Sequence, residues 1–202
     1  GIGTSSRVAE TSDGDYTVGV LVQANYGLRD TLRIAGVPVG RYLTGDRIRA
    51  SLPARLEGGF GSIIIVVATD APLLPHQLKR LARRAALGLA RVGGTASNGS
   101  GDIFLAFSVA DPQPMPQLAG VVRRRRELNP EHLDPLYLAA VEAVEEAVVN
   151  ALVAGEDVPT VKPRGLTCRA IDTAALAALF AIAAIPVVRG AWSRWVAVAA
   201  VG

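Results

Sequence analysis

Aromatic side chains are scarce in this chain, at 5% of its 202 residues. A core that cannot be built from rings must be aliphatic, and half of the residues are hydrophobic, mostly Ala, Val, Ile and Leu. Small aliphatic residues let packed layers approach closely, which suits an α/β fold. The single cysteine, Cys168, rules out an internal disulfide and says little about compartment. The two histidines, His76 and His132, stand alone, with no second ligand at helical spacing. That argues against a metal site and leaves a Ser-His-Asp triad without a well-placed base. No long apolar run marks a membrane span: Ala174 to Val188 is almost wholly apolar, but it is short and Pro186 interrupts it. Charge of neither sign dominates. The net charge of +3 is a mild excess that does not by itself imply a nucleic-acid partner.

What is present reads as alternating strands and helices. Tyr16 to Ala24 has the β-branched content and length of a strand, closed by Asn25-Tyr26-Gly27 as a turn. Thr31 to Val39 reads as a second strand, broken at Ala35-Gly36 into a hairpin or bulge. Residues 41 to 61 are polar and mixed, an exposed linker. Ser62 to Thr69 opens on five β-branched residues and reads as a strand buried on both faces. Ala71-Pro72-Leu73-Leu74-Pro75 starts a helix that runs to about Val92, with Pro75 near its first turn and Leu78, Leu81, Ala82, Ala85 and Leu89 inward. Its stripe of Lys79, Arg80, Arg83 and Arg84 lacks interleaved aromatics and reads as a solvated face, not a nucleic-acid site. Ile103 to Val109 is another strand, and residues 110 to 130, with Arg123 to Arg126, an exposed excursion. Glu131 to Ala154 and Asp172 to about Ile185 are the remaining helices, the last capped by Asp172 or Thr173. On the 131–154 helix, Glu131, Glu142, Glu145 and Glu146 are expected off the inner face. Residues 1 to 7 read as a Gly/Ser-rich loop, so the opening resembles the middle of a longer chain. The order β, β, β, α, β, α, α predicts sheets covered on both sides.

Two glycine-rich stretches draw attention. Gly93 to Asp102 follows a helix and precedes a strand, the reverse of a phosphate cradle, and no Gly-Lys-Ser/Thr is present. The other, Glu57 to Gly61, runs into Ser62. Gly61 puts no Cβ beside its carbonyl carbon, so the Ser62 hydroxyl could attack that carbonyl in an N→O acyl shift. Cleavage would give Ser62 a free α-amine, with an ordinary pKa of about 7.7–8.0. Hydroxyl and base would then share one residue, as in N-terminal nucleophiles. Ser100 and Asp102, two apart, would face the same way in extended chain and could support it. Asn25 could donate to an oxyanion. The plainer alternative is a glycine-rich loop before a core strand, with Asn25 a turn residue.

Four blocks in order carry a resemblance: Ile2-Gly3-Thr4-Ser5-Ser6-Arg7; Tyr16 to Gly27; Gly61 to Pro75; and Ser97 to Phe107. Together they resemble the DmpA-like L-aminopeptidase/D-esterase and β-peptidyl aminopeptidase family, densely over residues 1 to about 154. The resemblance implies an αββα four-layer sandwich of the N-terminal-nucleophile type. It implies a precursor that cuts itself at Gly61–Ser62, giving segments 1–61 and 62–202 of one domain. Ser62 matches the nucleophile, Asn25 the oxyanion donor, and Ser100 and Asp102 the assisting serine and acid, Asp standing where some relatives have Glu. Also implied are no cofactor, a small peptide or amino-acid amide substrate, no nucleic-acid or membrane partner, and a homo-oligomer of processed heterodimers. The cytoplasm is the expected compartment, with the periplasm as the alternative.

Two departures temper that expectation. The long segment that precedes the first block in such proteins, and helps to form the pocket, is absent here, so a fragment keeping the nucleophile half is expected. The tail after about Ile185 does not resemble the family. The rival readings are an acyltransferase of the related ornithine acetyltransferase type, which uses threonine where Ser62 stands, and a non-catalytic assembly protein on the same fold.

Overall fold

The computed structural model describes residues 1–43, 61–112, 116–118, 120–122, 124–161, 164–165 and 167–183. The expected linker therefore lies largely outside the described residues, as does the tail.

Four strands form one sheet in the order β1-β2-β3-β4. Strands β1 (Ile2–Thr11) and β2 (Gly14–Asn25) make a tight antiparallel hairpin, with Gly14 at φ +130° where the chain reverses. Strand β3 (Ser62–Thr69) pairs antiparallel with β2 and parallel with β4 (Ile103–Ser108). Helix α1 (Pro75–Arg91) makes the crossover that a parallel pair requires. Helix α2 (Asp134–Val153) lies on the same face of the sheet and packs on α1. A two-residue pair, β5 (Val158–Pro159) with β6 (Thr167–Cys168), leads to α3 (Thr173–Ala183), whose first turn is capped by Asp172 accepting from the Ala175 N–H. No helix among the described residues is long and apolar enough to cross a membrane.

Three sequence expectations need correction. Residues 1 to 7 are not a loop but half of β1. Helix α2 lies so close that a Cβ at Gly3 would sit 2.0 Å from the Ala147 carbonyl oxygen, and the Ser5 hydroxyl donates to the Ala143 carbonyl at 2.6 Å. The close approach demands Gly and Ser, and those residues made the strand look like a loop. Second, residues 31 to 39 keep the expected reversal at Ala35-Gly36 but not the strand around it. They form short 3-10 turns at Arg29–Thr31 and Val39–Arg41 around one tight reversal, where Ala35 and Gly36 take positive φ and Ile34 bridges Val37. The apolar residues there build a second small core, in which Ile34, Val39 and Leu43 meet Leu176 and Phe180 of α3. Third, β3 is covered on one face only. Ile63, Ile65 and Val67 are fully buried beneath the helices, while Ile64 on the other face is 40% exposed. Leu21, Ile103, Leu105 and Phe107 share that exposed apolar face. The described residues thus supply one sheet and one helical layer, two of the four layers expected.

Helix α2 packs on β1 and β2 beneath it and against α1 beside it. A Cβ at Gly88 of α1 would fall 2.5 Å from the Val141 carbonyl oxygen, so that pair also approaches to backbone contact. Glu145 and Glu146 were expected on an outer face, yet both are buried. Each meets an arginine from a neighbouring layer: Glu146 pairs with Arg7 of β1, and Glu145 accepts from Arg91 of α1 at 3.3 Å. Lys79, Arg80 and Arg83 are exposed as expected, and the Arg84 guanidinium lies 4.3 Å from the centre of the Tyr137 ring.

Burial pushes the Glu145 carboxyl above the ordinary glutamate range, and the Arg91 charge and hydrogen bond only partly offset it. The folded chain therefore holds this proton more tightly than the unfolded chain does. That contribution to stability is complete below the unfolded pKa and is lost as pH rises through the folded one. Glu145→Gln is expected to flatten this slope. In thermal unfolding scans the variant's advantage over the parent should grow from pH 4 to pH 7; an advantage that stays constant across that range counts against the assignment.

Candidate active site

The sheet brings the four separated residues together at one end. Asn25, the last residue of β2, is the register partner of Ser62, the first of β3. Directly opposed residues on antiparallel strands point to the same face, with Cβ atoms about 4.5–5.5 Å apart. Both side chains therefore leave the sheet on the face opposite the helices, in line with Leu21 and Ile64.

On its other side β3 pairs with β4 at a constant offset, beginning at Ile64 with Ile103. The same offset of 39 residues continues past the strand ends, carried by side chains in place of the backbone ladder. The Ser100 hydroxyl lies 3.0 Å from the Gly61 carbonyl oxygen. The Gly101 N–H donates to Ser62 Oγ at 2.9 Å. The Ile63 N–H donates to Asp102 Oδ1 at 3.1 Å. Three successive residues of the glycine-rich loop thus grip three successive residues around the Gly61–Ser62 bond. Ser100 also reaches Asp102 Oδ1 at 2.6 Å. Its one proton serves either the carboxylate or the Gly61 carbonyl at a given moment.

Gly61 is needed here for more than a bare carbonyl. A Cβ on it would lie 2.3 Å from the Asn25 carbonyl oxygen and 3.0 Å from Tyr26 Cα, so Gly61 rests directly on the backbone at the end of β2. Beside it opens a cleft of about 80 Å³ of mixed lining, in which Tyr26, Leu28 and Ala96 stand beside Ser97, Ser100 and Asp102. Burial first, and then the Asp102 carboxylate, push the Tyr26 phenol far above the usual tyrosine range. A larger cavity of about 330 Å³ lies across the Tyr26–Leu28 segment and reaches Asn25, Arg29, Val148 and Cys168. Ser62 lines neither cavity, and Asn25 lines the larger one. The smaller cleft is the candidate centre because Ser100, Asp102 and Gly61 all line it.

Two further residues of the site carry little sequence signal. Tyr26 reads only as part of a turn, although it directly follows Asn25. Gly101 contributes a backbone N–H, which no side-chain pattern announces. His76 and His132 are both exposed, and among the described residues no three His, Cys, Asp or Glu side chains gather as metal ligands.

Comparison with known proteins places this geometry. The pattern of peptidase family S58 matches residues 1–165. A β-peptidyl aminopeptidase BapA from Sphingosinicella microcystinivorans is 46% identical over 187 residues, which are 89% of this chain and 46% of that protein. A BapA from Sphingosinicella xenopeptidilytica is 47% identical over 165 residues, 77% of this chain and 40% of that protein. Among solved structures, the L-aminopeptidase D-Ala-esterase/amidase of Ochrobactrum anthropi, a serine aminopeptidase described as a variant of the Ntn hydrolase fold, superposes with a TM-score of 0.82 at 47% identity. That match covers 91% of this chain and 48% of the other. The chain spans about half the length of the curated relatives it matches. With the family pattern running through the sheet, both packed helices and the Gly61–Ser62 junction, the chain belongs to peptidase family S58.

Proposed function

We propose that this chain carries the nucleophile of a self-processing serine aminopeptidase or amidase. The carrying observation is the grip of residues 100 to 102 on residues 61 to 63, which holds a hydroxyl, a carboxylate and a backbone donor around one peptide bond.

In the first reaction Ser62 Oγ adds to the Gly61 carbonyl carbon, and Ser100 donates to the carbonyl oxygen as charge builds on it. The C–N bond then breaks, its nitrogen takes up the hydroxyl proton, and Gly61 becomes an ester on Ser62. Water hydrolyses that ester and leaves Ser62 with a free α-amine. The segments on either side of the cut stay together, because β2 and β3 remain paired from Val18↔Thr69 to Asn25↔Ser62.

In the second reaction the new amine accepts the Ser62 proton while Oγ attacks a substrate carbonyl. Asn25, opposite Ser62, donates to the oxyanion, and the proton passes on to the departing amine. Asp102 orients Ser100 and fixes the start of β3. The names of the relatives support short peptides, aminoacyl amides and esters as substrates. The exposed apolar face of the sheet supports a further packed layer, as an αββα sandwich requires, and we place the processed heterodimers in a homo-oligomer.

The test uses the chain at its full natural length. Denaturing mass spectrometry is expected to find a fragment beginning at Ser62, and a short aminoacyl p-nitroanilide should be hydrolysed only by the cut form. An intact chain without hydrolysis would sink the proposal and leave the non-catalytic assembly protein.

A further inference from the structure

The middle contact of the loop has a chemical role separate from its neighbours. Ser100 points at the carbonyl before the bond and Asp102 at the amide after it. Gly101 alone points at the reacting oxygen, its N–H lying 2.9 Å from Ser62 Oγ. Once residue 61 has left, the Ser100–Gly61 contact is gone, while the Gly101 and Asp102 contacts involve only atoms that remain. The donor to Oγ is therefore built into the processed enzyme as well as the precursor.

A fixed N–H aimed at an oxygen stabilises that oxygen most when it carries negative charge. During attack Oγ loses charge to the new bond, so the donor gains nothing there beyond holding the rotamer. During deacylation the reverse occurs. Water adds to the ester carbon and yields a proton to the Ser62 amine. The tetrahedral adduct then collapses, the C–Oγ bond breaks with its electron pair going to Oγ, and Oγ recovers a proton from the Ser62 ammonium. We propose that the Gly101 N–H is the leaving-group donor for Ser62 Oγ, and so sets the lifetime of the ester in both self-cleavage and substrate turnover. This rests on the nucleophile assignment made above.

The geometry permits a clean deletion. A Cβ at Gly101 would make only an ordinary contact, 3.5 Å from Ser62 Oγ, so the position is open and the N–H itself is the feature to remove. Replacing Gly101 with glycolic acid in the full-length chain converts that amide to an ester and deletes the one hydrogen. A hydrogen bond to a charged oxygen is typically worth about a 10- to 100-fold change in rate. Rapid quench and intact-mass measurement with an aminoacyl p-nitrophenyl ester should show the acyl-enzyme on the Ser62-led fragment lasting about 10- to 100-fold longer, with kcat and KM falling together. A lifetime within about threefold of the parent's overturns the inference. Should the altered chain stay uncut, hydroxylamine discriminates: release of a fragment beginning at Ser62 reveals the stalled ester and supports the role, and resistance overturns it. If the unaltered protein neither cuts itself nor hydrolyses the ester, the nucleophile assignment itself falls.

Discussion

Ser62→Ala is expected to leave the chain in one piece and to lower turnover by about four orders of magnitude or more. Removing the hydroxyl takes the nucleophile from both proposed reactions, and without the first there is no free amine to act as base in the second. The loss is therefore not divided between two partly redundant groups. The fold should hardly notice. Ser62 sits at the end of β3, and its hydroxyl accepts a hydrogen bond from the exposed Gly101. The net cost of losing such a bond is about 1 kcal/mol. The eight-pair register with β2 uses backbone groups that alanine keeps. Mass spectrometry for the fragment and thermal unfolding for the fold check both halves. A variant that still yields a fragment beginning at position 62 shows that cleavage comes from another protease, and the self-processing mechanism must then be abandoned.

Which parts of this could be read before any coordinates follows from where the information sits. β3 and α1 were legible because their signal is local: five β-branched residues in a row, and apolar positions recurring at three and four behind Pro75. β1 was not, because its Gly3 and Ser5 answer to the Ala147 and Ala143 carbonyls of α2, some 140 residues away. The segment around Ile34 and Val39 misled for the opposite reason. Its apolar residues serve a core shared with α3, while its backbone turns tightly at Ala35-Gly36. Helix α2 showed its apolar stripe but not its second buried side, since Glu145 and Glu146 look like solvent residues until their arginines are seen.

The candidate site divides in the same way. Ser62, Ser100 and Asp102 were flagged by type and spacing next to glycine-rich loops. Their meeting depends on the β3–β4 register, which no one-dimensional pattern encodes. The reason for Gly61 also changes with the fold in hand. Its lack of a side chain lets it lie against the Asn25 backbone, and that contact brings the susceptible carbonyl level with the amide proposed to hold an oxyanion.

The largest stability effect is expected at Arg7→Met, a loss of about 3–5 kcal/mol. Arg7 projects from β1 into α2, bonding Glu146 and lying 3.6 Å from Glu142. The Glu146 side chain is 6% exposed, so water cannot take over from the missing guanidinium. The cost is chiefly that of stranding a charge in the interior, and a thioether of similar length cannot neutralise it. In a chain of this size each kcal/mol moves the unfolding midpoint by about 2–4 °C, so a fall of about 6–20 °C is expected. Adding Glu146→Gln should recover much of it, because the stranded charge is then gone. If the double variant is no more stable than Arg7→Met alone, Arg7 acts through packing of its stem and not through its charge. The position matters for the site because α2 braces the β1–β2 hairpin, and that hairpin carries Asn25 at its free end. The single variant, warmed towards its new midpoint, should therefore lose self-cleavage before β3 and α1 unfold, a sequence that hydrogen exchange read alongside fragment yield would reveal.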